Sequence, residues 1–234
     1  MAFFDGQNLF HAARDAFGYG EPNYDAVALS RRLCADQGWQ LEHIRFYTGV
    51  PGRDEDPGGY SFWLRKLQGL RNAGVEVIQR TLRYRQKTVR LPLTMSGARR
   101  AHFLLPDGTP LVAGTKLYLE DGREVPDGTV LTVRVGEEKG IDVRLALDVV
   151  GLALARRFDV ALLFTQDQDL AEAAREVQQI ARRDGRTVEV CSAYPEGSSN
   201  AVGVHGTRWI KIDGATYAAC LDRKDYRQGP RRRG

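Results

Sequence analysis

Phe164-Thr165-Gln166-Asp167-Gln168-Asp169-Leu170 decides how this chain is read. An apolar run from Val160 to Phe164 enters it, and an amphipathic stretch from Leu170 to Arg183 leaves it. The pattern predicts a buried strand, a turn with two carboxylates, and a helix. In an open α/β sheet such a turn lies at the carboxyl end of a strand, where ligands bind. A purely local account competes. Asp169 with Glu172 fits a capping box, and Asp167 fits a solvated turn residue.

The amino-terminal end repeats the arrangement. Met1 to Phe4 is apolar and breaks at Asp5-Gly6-Gln7-Asn8. A carboxylate directly after a buried strand is costly unless a cation or a hydrogen-bonded turn neutralises it. Tyr24 to Cys34 predicts a helix with Asp25 as its N-cap. His43 to Val50 predicts a strand, Tyr60 to Arg71 a helix, and Val75 to Ile78 a third strand. This β-α-β-α-β order implies a parallel sheet with right-handed crossovers.

That rhythm stops after Ile78. Arg80, Arg83, Arg85, Lys87, Arg90, Arg99 and Arg100 occur with no acidic residue among them. Short alternating runs follow, separated by Asp107-Gly108, Asp121-Gly122 and Asp127-Gly128. Residues 83–136 therefore read as an antiparallel β insertion, with Leu117-Tyr118-Leu119 and Val130 to Val135 as its clearest strands. The basic stretch suits phosphate contacts. It equally suits a solvated edge strand that resists aggregation.

Glu138-Lys139-Gly140-Ile141-Asp142 opens a further helix with an apolar stripe at Ile141, Leu145, Val149 and Leu152. Asp142 falls in its first turn, a position the helix dipole favours for an anion. Asp148 lies ~120° around the axis from Asp142, so both cannot bind one ion from the same face. Thr187 to Cys191 predicts the fifth strand, Trp209 to Ile212 a short last strand, and Ala215 to Leu221 a closing helix. Arg223, Lys224, Arg227, Arg231, Arg232 and Arg233 make residues 223–234 a basic tail.

Lys+Arg 34 against Asp+Glu 30 gives a net charge of only +4, so the distribution of charge matters more than its sum. Cys34, Cys191 and Cys220 are odd in number and widely spaced, which excludes a disulfide framework or zinc knuckle and predicts buried thiols. No apolar run reaches the ~18 residues of a membrane span. A cytoplasmic protein without membrane contact is expected. His11, His43, His102 and His205 do not cluster and read as structural.

In a doubly wound sheet ordered 3-2-1-4-5, strands one and four are neighbours at the switch point. Asp5, Asp167 and Asp169 would converge there. Converging carboxylates repel and call for a divalent cation. An oxygen-only ligand set selects Mg2+ or Mn2+, and such sites serve phosphoryl transfer.

The motifs FFDGQN, EKGIDVRLALD and LLFTQDQDL, in this order and spacing, resemble those of the NYN-domain family within the PIN-like ribonuclease superfamily. The resemblance covers roughly residues 1–82 and 137–213. It implies a PIN-like three-layer α/β/α fold with a parallel central sheet, ordered about 3-2-1-4-5, interrupted by the antiparallel insertion. Residues 1–222 would form the nuclease domain. The resemblance transfers metal-site roles to Asp5, Asp142, Asp167 and Asp169, and a catalytic role to Asn8. Thr165, Asp148 and Lys139 would support them. The sequence departs from the family pattern at Gln166, which is bulkier than the residue usual there.

The expectation is a Mg2+- or Mn2+-dependent endoribonuclease with RNA as substrate. Arg80, Arg83, Arg85, Lys87 and Arg90 would bind the RNA backbone, and a homodimer is kept among the partners. Two other readings stay open: a PIN-like module that binds RNA or protein without cutting, and a phosphohydrolase acting on nucleotides.

Overall fold

A computed structural model describes residues 1–91, 102–105, 110–111, 117–118, 121–198 and 201–226. Its contacts divide the chain into two compact units. One is Met1–Thr48, Phe62–Gln79 and Gly140–Gly234; the other is Gly49–Ser61 and Arg80–Lys139.

The first unit is an α/β fold built on a parallel sheet flanked by helices. β1 (Ala2–Asp5) is fully buried and pairs in parallel with β2 (Ile44–Val50) on one side and β8 (Val160–Phe164) on the other. β9 (Glu189–Pro195) follows β8, and β10 (Arg208–Ile212) follows β9, both in parallel. With β3 (Glu76–Thr81) beside β2, the order is β10-β9-β8-β1-β2-β3. The expected order 3-2-1-4-5 thus recurs with a sixth strand at its far edge.

Side-chain alternation along the strands feeds two cores. Phe3, Ala161 and Leu163 meet Ile141, Leu145, Val149 and Ala153 of α4 (Ile141–Leu154), and Ala174, Val177 and Ile180 of α5 (Ala171–Arg183). On the alternate positions Phe4 stacks on Phe164, with ring centroids 3.9 Å apart, and on Phe46 and Tyr24. α1 (Gly6–Phe17) starts where β1 ends. Glycine is required at that junction: a Cβ on Gly6 would lie 2.7 Å from Phe46 Cζ and 3.0 Å from the Tyr47 carbonyl oxygen. α2 (Ala26–Asp36) is capped as expected by Asp25, whose carboxylate accepts the N–H groups of Val27 and Ala28.

α3 (Pro57–Asn72) starts three residues earlier than the apolar pattern predicted. Its Lys66 is buried, donates to the Tyr24 carbonyl at 3.3 Å and faces Asp222 at 3.5 Å. Burial pushes its ammonium down from the ordinary lysine value. Tyr226 lays its ring 5.2 Å from that ammonium and donates its hydroxyl to Asp222 at 2.6 Å. The chain after α6 (Gly214–Ala219) is thereby tied back to α3. Of the basic tail, Arg223 and Lys224 are described; Arg227, Arg231, Arg232 and Arg233 lie outside the described residues.

The second unit holds an antiparallel sheet ordered β4-β7-β5-β6, from β4 (Arg83–Arg90), β7 (Val130–Glu137), β5 (His102–Leu104) and β6 (Pro110–Leu111). Val133 and Val135 form its small core with Val89, Leu105, Leu117 and Leu131. Leu117-Tyr118-Leu119 is not the strand predicted: Tyr118 makes only an isolated bridge to Glu124, and Leu119 lies outside the described residues. The turns at Asp121-Gly122 and Asp127-Gly128 are present, with both glycines at positive φ. Asp107-Gly108 lies outside the described residues, as do Arg99 and Arg100. No described helix is long and apolar enough to cross a membrane.

Candidate metal centre

Asp5 is the last residue of β1 and is 2% exposed. One of its carboxylate oxygens accepts the Asn8 N–H at 3.0 Å, capping α1; the other accepts the Thr165 hydroxyl at 3.2 Å. Both bonds stabilise the anion in a buried place, where an unpartnered charge would be costly. Thr165 follows β8 directly, is itself buried, and accepts the Asp167 N–H at 3.1 Å. One hydroxyl thus links the ends of the two central strands.

Asp142 comes from a third segment. Gly140, at φ 76, takes the N-cap position of α4 without a capping side chain, and Asp142 lies in the first turn. Asp5, Asp142 and Asp167 each present a carboxylate oxygen, and these atoms all lie within 4.8 Å of one another. Three like charges this close destabilise one another in the absence of a cation. The donors are all carboxylate oxygens, the ligand type that suits a small hard divalent cation. The set is one that a divalent cation fits.

The other residues expected at the site are arranged differently. Asp169 is exposed and lies outside the three-acid group; its backbone N–H donates to Asp167 at 3.0 Å. Asp167, not Asp169, is the residue that caps the short 3-10 turn Gln168–Leu170. The capping box of Asp169 with Glu172 is therefore replaced by a cap two residues earlier. Asn8 presents its side-chain oxygen to the Gln166 N–H at 2.9 Å, so it positions the turn of the acidic motif.

Asp148 is neither solvent-facing nor part of the acid group. Its side chain, 11% exposed, accepts the Tyr47 hydroxyl at 2.8 Å and pairs with Arg45 and Arg144, each at 3.0 Å. Tyr47 is the register partner of Asp5 in the sheet, so Asp148 fixes α4 against the strand beside the site. Burial, then the bond to Asp148, pushes the Tyr47 phenol well above its ordinary range.

Two glutamines that sequence reasoning did not assign hold the acidic turn in place. Gln166 is buried and donates to the Val202 carbonyl at 3.1 Å and to Ser198 at 3.3 Å. Gln168 donates to the Gly203 carbonyl at 3.0 Å and accepts the His205 N–H at 3.0 Å. Both side chains are thus spent on the loop between β9 and β10. Only the polarity of that loop hinted at this.

In the second unit, Arg83, Arg85 and Lys87 alternate along β4 and are exposed, as are Arg80 and Arg90. Glu137 on β7 is their counter-charge: Lys87 bonds to it, Arg85 lies 4.0 Å away and Lys139 3.7 Å away. The Lys87 bond holds the Glu137 carboxyl below its ordinary range. Arg90 donates to the Gly128 carbonyl at 2.9 Å. The stretch without acids in sequence is therefore partly neutralised by an acid from the facing strand.

This is a parallel α/β protein with Asp5 at the end of β1, Asp167 in the turn after β8 and Asp142 in the first turn of α4. Within it, the NYN domain family model matches residues 122–211, and bears out over that span the resemblance to a PIN-like ribonuclease-family domain. The matched span contains Asp142 and Asp167; Asp5 lies before it. No curated protein matches the chain. Among solved structures, a protein of unknown function from Vibrio parahaemolyticus RIMD 2210633 is similar with a TM-score of 0.45 and 16% identity, over 91% of each chain.

Proposed function

We propose that this protein is a metal-dependent endoribonuclease that hydrolyses RNA phosphodiester bonds. The observation that carries the reading is the convergence of the Asp5, Asp142 and Asp167 carboxylates within 4.8 Å at the ends of β1 and β8 and the start of α4. Those three side chains would hold Mg2+ or Mn2+. A divalent cation bound there supplies charge neutralisation for a phosphodiester and lowers the pKa of water.

The remaining roles belong to the chain itself. Thr165 keeps the Asp5 carboxylate aimed by donating to it. Asn8 fixes the backbone at Gln166, and with it the approach of Asp167. Asp169, exposed beside the group, receives hydrogen bonds from water or the RNA sugar. Asp148 positions α4 through Arg45 and Tyr47. Arg80, Arg83, Arg85, Lys87 and Arg90 contact RNA phosphates, and Lys139 adds a cation after the sheet strand β7. Phosphate contacts of this kind weaken steeply with salt.

The test is cleavage of a labelled RNA pool with Mn2+ or Mg2+, with EDTA and Asp167→Asn as controls. Cleavage lost in both controls is the expected result. RNA retained but uncut by the folded, metal-loaded protein would make the chain a binding module instead. Release of phosphate from mononucleotides, with RNA oligomers left intact, would make it a nucleotide phosphohydrolase.

A further inference from the structure

The hydrogen bonds that steady the acidic turn end on an exposed aromatic pair. Gln168 follows Asp167 directly, and its amide oxygen accepts the His205 N–H at 3.0 Å. His205 is exposed, and its ring lies 6.3 Å from that of Trp209 with the two planes 25° apart. Trp209 belongs to β10 and is 43% exposed. The buried Tyr194 supports it edge-on at 6.2 Å.

Exposure by itself decides nothing, since single apolar side chains are common on surfaces. The way this ring is held does. Its indole N–H donates to the Val204 carbonyl at 2.8 Å, and the Val204 N–H donates to the buried Ser192 hydroxyl at 2.9 Å. Gly203 lies so close that a Cβ there would sit 2.6 Å from Trp209 Cδ1. Because the N–H is satisfied within the protein, what Trp209 leaves in water is apolar ring. The loop that fixes it is the one fastened by Gln166 and Gln168 on either side of Asp167. Trp209 pairs with Ser192, and Ser192 with Leu163, two residues before Thr165. Two strand spacings put β10 ~10 Å from β8. The ring pair is thus near enough to the acid group to meet the same bound strand, and too far away to meet the same phosphate.

Tryptophan and histidine rings are surfaces on which unpaired bases stack, whatever the base, because every base has a π-face. We propose that the His205–Trp209 pair is a stacking platform for an unpaired nucleobase of the RNA strand whose phosphate lies at the acid group. This rests on RNA being the substrate, and adds that the strand is single-stranded beside the acids. A base inside a duplex reaches such a ring only by leaving its stack, at a cost.

Binding of a labelled single-stranded RNA oligomer, followed by fluorescence anisotropy with EDTA present, tests the platform without any cleavage. Trp209→Ala should weaken binding by about 5–150-fold, the range for one lost stacked base. Trp209→Phe keeps a ring but loses the N–H to Val204, and should bind more tightly than Trp209→Ala. His205→Ala should weaken binding less than Trp209→Ala. An abasic oligomer of the same length separates base from backbone: the preference of wild type for intact over abasic RNA should shrink in Trp209→Ala by the same factor as the loss on intact RNA. Fully paired RNA should bind wild type and variant alike. Circular dichroism confirms that each variant is folded. Equal affinity of wild type and Trp209→Ala for the intact oligomer, an equal loss on intact and abasic oligomers, or a Trp209→Phe variant as weak as Trp209→Ala would each overturn the proposal. The nuclease reading fails separately: RNA held through Trp209 but left uncut with Mn2+ present keeps the platform and removes the nuclease. RNA cut with unchanged KM and kcat by Trp209→Ala does the reverse.

Discussion

The Thr165 hydroxyl donates to the Asp5 carboxylate at 3.2 Å across 160 residues of chain, and accepts the Asp167 N–H at 3.1 Å. It joins the two acidic strand ends. Thr165→Val removes one hydrogen bond from the buried Asp5 carboxylate and one from the Asp167 N–H. A loss of about 1–3 kcal/mol in urea unfolding is expected. Metal affinity, followed by Mn2+ titration, should drop by about 10–100-fold. Thr165→Ser should restore both. A valine variant with wild-type Mn2+ affinity would separate the hydroxyl from the acid group.

The acid group should trade stability for binding. Asp167→Asn removes one of three mutually repelling charges, so the metal-free protein should melt about 2–4 °C higher, the equivalent of ~1 kcal/mol for a chain of this size. Wild-type protein should gain about 2.7 kcal/mol when Mn2+ is present at 100 times its dissociation constant. The variant should lose that gain along with RNA cleavage. Differential scanning calorimetry with and without Mn2+ tests both halves. A metal-free Asp167→Asn variant that melts lower than wild type would contradict the repulsion argument.

Asp148 should behave as an anchor. Asp148→Ala removes one partner from Arg45, whose side chain is 13% exposed, and one from the Tyr47 hydroxyl. Arg45 keeps its second partner, Glu76, so the cost should fall at the low end for a broken buried pair, about 3 kcal/mol. Intrinsic Mn2+ affinity of the folded variant, measured below its melting temperature, should change less than threefold. A tenfold fall would move Asp148 into the metal site itself.

The thiols give a pH test. Burial, reinforced by Glu189, pushes the Cys191 thiol up to about 11 from an ordinary 9.0, and burial also raises Cys34 and Cys220. A group whose folded pKa is raised favours the folded state below its unfolded value. That contribution is therefore whole below pH 9.0 and is lost as the pH rises toward 11. At pH 8 the native protein should show no fast-reacting thiol with an aromatic disulfide reagent, and three after denaturation. One fast thiol in the native protein would contradict this burial.

Much of this architecture is written in local pattern. The apolar runs before Asp5 and after Asp159 are long enough to bury a strand, and each ends at a polar turn, so two acids at neighbouring strand ends could be read directly. The place of Asp142 in a first helical turn accounts locally only for an anion at a helix start, and its metal-site role comes with the family resemblance. What stayed hidden depends on partners distant in sequence. Tyr47 and Asp148 are 101 residues apart, and nothing local to Asp148 announces Arg45. β9 runs on to Pro195, beyond the predicted Cys191, because Ser192 to Pro195 pair with Trp209 to Ile212 of β10, and the Ser192 hydroxyl is satisfied by Thr207 and Val204, which a polar letter does not advertise. Gln166 looked like bulk added to a site. Its amide instead reaches Ser198 and Val202, a loop that hydrophobic periodicity cannot locate.

The linkage of Asp5 to Thr165 also has a consequence for synthesis. β1 is made before its neighbour β8 and the turn carrying Asp167, which follow only after β2, β3, all of the second unit and α4. Asp142 and Asp167 follow Asp5 by more than half of the 234 residues, and contacts of such long range form late. A chain released before Val160 lacks the strand that closes the sheet on Asp5, and so lacks the acid group altogether. Translation products that stop before Val160 are thus born without the acid group.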